Sequence, residues 1–147
     1  MDMKTLFSFY LLAAAIQDWR TYYFSKWWFV PSLWIGALWL DRYGWKGENV
    51  VCAIYFCLPG IFAWKKGWMG SADCWFLFYF GILLGWRRMS VAVCIAVAAG
   101  CLLVMKKKES YIPFVSCLCL GVWIAYWKGY WIFSHIFLNL LSGGAVN

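Results

Sequence analysis

Residues 89–105 read MSVAVCIAVAAGCLLVM and contain no Asp, Glu, Lys or Arg. This composition is typical of a helix in a lipid bilayer, where a spanning helix needs roughly 20 mainly apolar residues. Charge-free stretches recur along the chain, at 5–17, 27–40, 49–64, 74–86, 110–127 and 129–147. Because these stretches are continuous and do not alternate with a period of two residues, the sequence predicts helices rather than strands.

The overall composition also indicates a membrane protein. Of the 147 residues, 65% are hydrophobic and only 13% are charged, and the mean hydropathy is +0.70. Soluble proteins contain about 25% charged residues, and a small soluble domain could not bury this much apolar surface. We therefore predict an all-α fold, a polytopic integral membrane protein in which residues 1–147 form one domain.

The charged residues divide the chain into about six predicted transmembrane helices. Their predicted bounds are 3–21, 27–44, 48–65, 72–87, 89–106 and 110–127. Short basic turns separate them, including Lys65-Lys66-Gly67 and Trp86-Arg87-Arg88. The apolar tail 129–141 is too short to span, so we predict an interfacial helix there.

The start of the chain resembles a signal peptide only in part. Ala13-Ala14-Ala15 could mark a cleavage site, but only Lys4 precedes it as a basic residue and Asp18 follows it closely. We therefore predict that the first helix is an uncleaved span.

Several classes of function lack support in this sequence. The net charge of +7 comes from residues that flank apolar segments, which is typical of membrane anchors and not of a nucleic-acid surface. The seven cysteines include no C-x-x-C pair, so we predict no metal and no cofactor. The only histidine is His135, and Ser71 has no G-x-S-x-G context, so a nucleophilic serine site is not indicated.

Two aspartates, Asp18 and Asp73, stand at the edges of the predicted first and fourth spans. A carboxylate at the boundary of a bilayer costs free energy, which usually marks a functional site. Two spans separate them, so both lie on the same membrane face. Carboxyl groups that meet can share one proton and divide the acid and base roles that amide hydrolysis requires.

The segment before Asp73 has a second interpretation. Gly67 and Gly70 give the backbone freedom, and Ser71 and Ala72 are small enough to leave room for a substrate. The same residues also suit an ordinary helix start, in which Ser71 or Asp73 caps the helix and Asp73 interacts with its dipole. Both interpretations remain open on the residues alone.

Three motifs in order resemble the type IV prepilin peptidases, a family of membrane aspartyl proteases. The first family motif, similar to D-x-R-T-x-x-I-P, reads Asp18-Trp19-Arg20-Thr21-Tyr22-Tyr23-Phe24-Ser25 here. The second, G-x-G-D after a basic loop, reads Gly70-Ser71-Ala72-Asp73 after Lys65-Lys66-Gly67-Trp68-Met69. The third is a late span that opens with Lys107-Lys108-Glu109-Ser110-Tyr111-Ile112-Pro113-Phe114 and continues to Gly121. Order and spacing agree over roughly residues 8–125.

The resemblance implies a specific reaction and a specific site. Asp18 and Asp73 would be the catalytic pair, and Arg20, Gly70, Ser71 and Ala72 would lie in the substrate-binding or loop region. The substrate would be a prepilin-like protein, cut between its basic leader and its apolar helix at the cytoplasmic face. The enzyme would be a multi-pass protein of the cell membrane, in a compact form without the domain that methylates the new N-terminus.

The sequence departs from the family pattern at three places. Ala72 replaces a common Gly, Trp75 replaces a Lys that follows the second Asp, and Phe24-Ser25 replaces Ile-Pro. Loss of the Lys removes a cation that could anchor an acidic substrate side chain. These departures leave open a catalytically degenerate relative that binds pilins or acts as a scaffold. A small transporter with a carboxylate proton relay is a third alternative.

The charge distribution sets the expected orientation. With both aspartates in the cytoplasm, seven basic residues lie inside: Arg20, Lys26, Lys65, Lys66, Lys106, Lys107 and Lys108. Six then lie outside: Lys4, Arg42, Lys46, Arg87, Arg88 and Lys128. This small excess agrees with the positive-inside rule.

Overall fold

The computed structural model describes residues 2–21, 26–44, 46–107 and 112–138, and these residues are almost entirely helical. The end of the first motif, 22–25, and part of the opening of the third motif, 108–111, lie outside the described residues. The helices are α1 (Met3–Thr21), α2 (Phe29–Tyr43), α3 (Gly47–Lys65), α4 (Ser71–Lys107) and α5 (Phe114–Ile132). A 3₁₀ turn, Lys26–Trp28, precedes α2, and a π-helical segment, Phe133–Leu138, continues from α5.

Helix α4 consists of two helical arms, 71–84 and 86–107, that meet at Gly85. Gly85 has φ 68° and ψ 178°, a conformation outside the helical region that essentially only glycine adopts. Contacts place the first arm antiparallel to α3, since the Asn49 side-chain amide donates to the Ile82 carbonyl (2.8 Å) and Gly60 lies beside Cys74. The chain therefore turns at Gly85, and the two arms pack against different helices.

The direction of each helix follows from pairs of contacts. Phe7 of α1 packs on both Phe80 and Tyr126, while Ser116 at the other end of α5 reaches the end of α1. Helix α1 is thus antiparallel to α5. Gly121 lies against Ala92 and Gly129 against Arg88, so the second arm of α4 is antiparallel to α5 as well. Phe7 also packs on Trp39 and Tyr10 on Trp28, so α2 is antiparallel to α1. Successive helical segments thus alternate in direction.

One hydrophobic cluster contains buried residues from all five helices. Phe7 is fully buried at its centre, with ring centroids 5.0 Å from Trp39, 6.3 Å from Phe80 and 5.7 Å from Tyr126. The close contact between α3 and the first arm of α4 depends on glycine, because a Cβ on Gly81 would lie 2.5 Å from the Cα of Ala53. The cluster fixes the relative position of the helix ends, where the aspartates lie.

The structure confirms some predicted bounds and corrects others. Helix α1 has the predicted bounds 3–21, and α2 and α3 differ from 27–44 and 48–65 by one or two residues. The predicted turn at Trp86-Arg87-Arg88 is wrong, since these residues are helical and the break falls at Gly85. The charged residues used for the prediction show only that this part of the helix can contact water. The helix breaks instead at the residue with a positive φ, a conformation that glycine adopts readily.

The end of the chain also differs from the prediction. The predicted last span, 110–127, corresponds to α5, which continues to Ile132 and runs on through Leu138. The separate interfacial helix predicted at 129–141 is therefore wrong over the described residues, because Lys128 does not interrupt the helix. Residues 139–141 lie outside the described residues.

Among the described residues, two helical segments are long and apolar enough to cross a membrane, namely α3 and residues 71–105 of α4, the second of which includes the turn at Gly85. The all-helical fold class is confirmed. The six-span arrangement stays a prediction.

We expect Gly85→Ala to destabilise the fold by about 1–3 kcal/mol, since it places a side chain in a conformation reserved for glycine. The added Cβ would also lie 2.7 Å from Oδ1 of Asn49. Thermal unfolding of the purified protein, followed by circular dichroism, measures the effect. The control is Gly47→Ala in α3, where nothing lies within 4 Å of the added atom. Equal unfolding temperatures for both variants would contradict the prediction.

Candidate active site

Asp18 lies in the last turn of α1 and is nearly buried, with 7% of its surface exposed. Its Oδ2 accepts hydrogen bonds from the backbone N–H of Ser116 (2.8 Å) and from the Ser116 hydroxyl (3.0 Å). A buried carboxylate is costly unless hydrogen bonds replace its lost water. The two donors from Ser116 therefore explain how Asp18 is held at this position.

Ser116 can donate its backbone N–H to Asp18 because it lies in the first turn of α5. The first backbone N–H groups of a helix have no partner within the helix and attract negative charge. The Ser116 hydroxyl also lies 2.9 Å from the Ala15 carbonyl oxygen. A hydroxyl has one hydrogen and two possible acceptors here, so it can donate to Asp18 or turn toward Ala15 and accept from a protonated Asp18.

Asp73 lies in the first turn of α4 and is half-buried. Its Oδ2 accepts a hydrogen bond from the backbone N–H of Gly70 (2.9 Å). This contact is one half of a capping box, in which an acidic side chain reaches back to the residue before the helix. The prediction that Ser71 or Asp73 is the N-cap is wrong, since Ser71 is the first helical residue and Asp73 is the third. Asp73 instead stabilises the helix start through its contact with Gly70.

The structure brings the two aspartates to the same end of the helical bundle. Asp18 is near the end of α1 and Asp73 near the start of α4, whose first arm is antiparallel to α1. Both carboxyl groups therefore lie at the end of the bundle where α1 ends and α4 begins. One end of the fold thus carries two carboxyl groups, each with at least one backbone N–H donor.

The four other predicted site residues differ in their contacts with this pair and in their burial. Gly70 contacts Asp73 directly through its N–H. Ser71 is exposed, and Ala72 is half-buried against the hydrophobic cluster. Arg20 is exposed and lies two residues beyond Asp18. All four lie at the same end of the bundle as the aspartates.

Trp75 lies at the position where the family pattern described above has a Lys. Its ring packs edge-on against Phe29, with centroids 5.2 Å apart. Its ring N–H is buried and has no hydrogen-bond partner among the described residues. An aromatic contact with α2 thus replaces the cation at this position.

An apolar groove of about 960 Å³ runs along α1 toward the aspartates. Its walls come from α1, from the end of α4 and from α5, and they include Leu12, Leu103 and Leu120. At the aspartate end the groove is lined by Ala15, Arg20 and Ser116, which is the residue that binds Asp18. Neither aspartate lines the groove, but the groove could hold an apolar segment whose end lies beside Ser116, the partner of Asp18.

Sequence reasoning missed Ser116, which makes the closest contacts with Asp18. The available signal was the third motif, since Ile112-Pro113-Phe114 places a helix start just before Ser116. A helix start can supply backbone N–H donors to a carboxylate. Among the described residues, no three His, Cys, Asp or Glu side chains form a group that could hold a metal ion.

A comparison with models of known families matches this chain over residues 5–105, a range that includes both aspartates. The comparisons with curated proteins and with solved structures gave no match. The matching family model covers more than half of the chain and is described as the type IV leader peptidase family. The chain therefore belongs to the type IV leader peptidase family.

Proposed function

We propose that this protein is a membrane-embedded aspartyl endopeptidase that removes the basic leader of prepilin-like proteins at the cytoplasmic face. The observation that supports the proposal is that Asp18 and Asp73 lie at one end of the bundle, where each accepts a hydrogen bond from a backbone N–H. Family membership supports a protease that acts on prepilin-like substrates.

The two carboxyl groups would divide the chemistry between them. An ionised carboxylate takes a proton from water, and the hydroxide adds to the peptide carbonyl while the protonated partner donates a hydrogen bond to its oxygen. The tetrahedral intermediate then collapses, and the leaving nitrogen receives the proton that the first carboxyl group took from water, which restores one ionised and one protonated carboxyl group. Two carboxylates that meet across the substrate disfavour double ionisation, so we propose that the pair carries one proton during the reaction.

Hydrogen bonds favour a particular assignment of these roles. The carboxyl group of Asp18 accepts from both the N–H and the hydroxyl of Ser116, whereas Asp73 accepts from the N–H of Gly70. Donors stabilise a carboxylate in its ionised form. We therefore place the negative charge on Asp18, as the base, and the proton on Asp73, as the acid.

Exposed apolar side chains support insertion of the whole bundle in a bilayer. Large apolar residues are more than half exposed on every helix, including Phe9, Trp34, Leu58, Leu102 and Trp131. Soluble monomers rarely expose such extensive apolar surface. We propose six spans, which are α1, α2, α3, the two arms of α4, and α5, in a single domain of the cell membrane.

The apolar groove along α1 suggests how a prepilin-like substrate would bind. The apolar helix of the substrate would lie in the groove, and its basic leader would extend beyond the aspartates toward the anionic cytoplasmic leaflet. The peptide bond between these two parts would then lie beside Asp18 and Asp73. We propose that the 65–72 loop adjusts on binding, with Gly67 in a left-handed conformation (φ 74°) as its hinge.

We expect Ser116→Ala to lower the turnover rate about tenfold, since a hydrogen bond to a charged group contributes about 1.5–3 kcal/mol and the backbone donor remains. The effect should fall on kcat with little change in KM, because Ser116 orients Asp18. Ser134→Ala is the matched control, since the Ser134 hydroxyl bonds to Trp131 and His135, its neighbours in the chain, among the described residues. An unchanged kcat in Ser116→Ala would contradict the assigned role.

Co-expression with candidate prepilins from the same genome tests the proposed function. The proposal predicts loss of the leader on gels and a new N-terminus, by sequencing, at the junction of leader and apolar helix. A folded, membrane-inserted protein that leaves every candidate uncut would contradict the proposal and favour the scaffold alternative.

A further inference from the structure

A second cavity, of about 800 Å³, lies at the opposite end of the bundle from the aspartates. It is lined by Lys4 near the start of α1, by the turn that joins the arms of α4, and by Tyr126 and Tyr130 near the end of α5. Lys4 and Asp18 stand at opposite ends of α1, which separates this cavity from the candidate active site. We name it the arginine pocket, after Arg87 and Arg88 in its wall.

Basic side chains dominate the arginine pocket. Four cations line it, namely Lys4, Lys46, Arg87 and Arg88, against one lining carboxylate, Glu48. A second carboxylate, Asp2, lies two residues before Lys4 in the chain. The excess of positive charge favours a negatively charged occupant.

Aromatic rings hold three of these cations in place. The Arg88 guanidinium lies 4.7 Å from the ring centroid of Tyr130 and 5.4 Å from that of Tyr126. Arg87 lies 6.0 Å from Tyr130, and the Lys4 ammonium lies 5.9 Å from Trp127. A cation–π contact fixes the side chain without neutralising its charge, so the cations remain available to an anion.

Arg88 has a further unsatisfied group. Its Nε is buried and has no hydrogen-bond partner among the described residues. A buried donor without a partner is costly, and the planar guanidinium matches the geometry of phosphate oxygens. A phosphate in the pocket would supply an acceptor for the guanidinium at this position.

We propose that the arginine pocket binds a phosphate group, supplied by the headgroup of an anionic phospholipid. This proposal relies on the membrane insertion proposed above, but not on peptidase activity. The lipid source is favoured because Trp127, Tyr130 and Trp131, beside the pocket, are all more than half exposed. Exposed Trp and Tyr near basic residues typically lie at the membrane interface, where phospholipid headgroups supply phosphate.

Native mass spectrometry of the purified, delipidated protein in detergent tests the proposal. We expect one phosphatidylglycerol to bind per chain, with much weaker binding of phosphatidylcholine. Lys4→Gln/Arg87→Gln removes two charges from exposed side chains and should weaken phosphatidylglycerol binding by about 30-fold. Arg88→Gln is a second variant, which removes the half-buried guanidinium. It should weaken phosphatidylglycerol binding at least as much as the loss of one of the two exposed charges does.

The control is Arg42→Gln/Lys128→Gln, which removes the same charge from exposed residues at this end of the bundle that do not line the pocket. The control should bind phosphatidylglycerol as the wild type does. Equal losses in both double variants, or equal binding of phosphatidylcholine by the wild type, would overturn the proposal.

Inorganic phosphate is the third probe. Weak competition with the lipid supports a headgroup site, whereas saturation by phosphate at a lipid-like affinity would overturn the assignment to a lipid.

Discussion

Asp18→Asn and Asp73→Asn each reduce leader cleavage by a factor on the order of 10³ or more, if the two carboxyl groups act as acid and base. The substitution preserves shape and removes only the ability to ionise and to carry the shared proton. An Asn side chain can still accept the hydrogen bonds that Ser116 and Gly70 donate. The variants should therefore fold as the wild type does while losing activity.

Measuring activity and stability separately distinguishes a catalytic role of Asp73 from a purely structural role at the start of α4. If Asp73 only stabilises the start of α4, an Asn at this position retains the contact with Gly70 and cleavage continues. The kinetics of leader removal, measured with purified enzyme and substrate, give the activity, and the unfolding temperature gives the stability. Asp41→Asn is the matched control, because Asp41 is an exposed carboxylate near the other end of the bundle. Cleavage by either site variant at the rate of this control would contradict the assignment.

Gly121→Ala is expected to have the largest effect on stability. The Cβ added at Gly121 would collide with the backbone carbonyl oxygen of Ala92 in the second arm of α4. Backbone cannot rotate away as a flexible side chain can, so the two helices must separate. Overpacking of this kind costs typically 1–3 kcal/mol and occasionally more, and we expect a value of about 3 kcal/mol.

Separation of α5 from α4 should also impair the active site. Ser116 lies five residues before Gly121 in α5, so a shift of this helix moves the donors away from Asp18. Gly100→Ala is the control, since its added Cβ would lie at an ordinary distance of 3.7 Å from Ile112. Thermal unfolding in detergent compares the two variants. Equal unfolding temperatures for Gly121→Ala and Gly100→Ala would show that the helices do not approach as closely as described.

Much of the fold could be predicted because charges interrupt the apolar pattern. The bounds of α1 follow from the single apolar segment that ends at Asp18, and the turn at Lys65-Lys66-Gly67 follows from its charge and its glycine. The turn at Gly85 could not be found in this way, since the charged residues Arg87 and Arg88 follow it within the helix. Lys128 likewise lies within a continuous helix, because a Lys side chain can extend toward water from an apolar surface.

The candidate site could be predicted only in part. The positions of Asp18 and Asp73 relative to the helices place them at one end of the bundle, and the structure agrees. The contact between Ser116 and Asp18 joins residues far apart in sequence, so no local pattern reveals it. The replacement of a Lys by Trp75 is visible in the sequence, but its packing on Phe29 is not.

The most direct test of the paired-aspartate account is leader cleavage in proteoliposomes that contain only the purified protein and one purified prepilin-like substrate. Mass spectrometry of the products locates the cut, and Asp18→Asn/Asp73→Asn in the same lipid serves as the inactive reference. The account predicts that the wild type releases the leader at its junction with the apolar helix and that the double variant leaves the substrate intact. Equal cleavage by both proteins, or none by a folded wild type with a substrate that its own cells process, would contradict it.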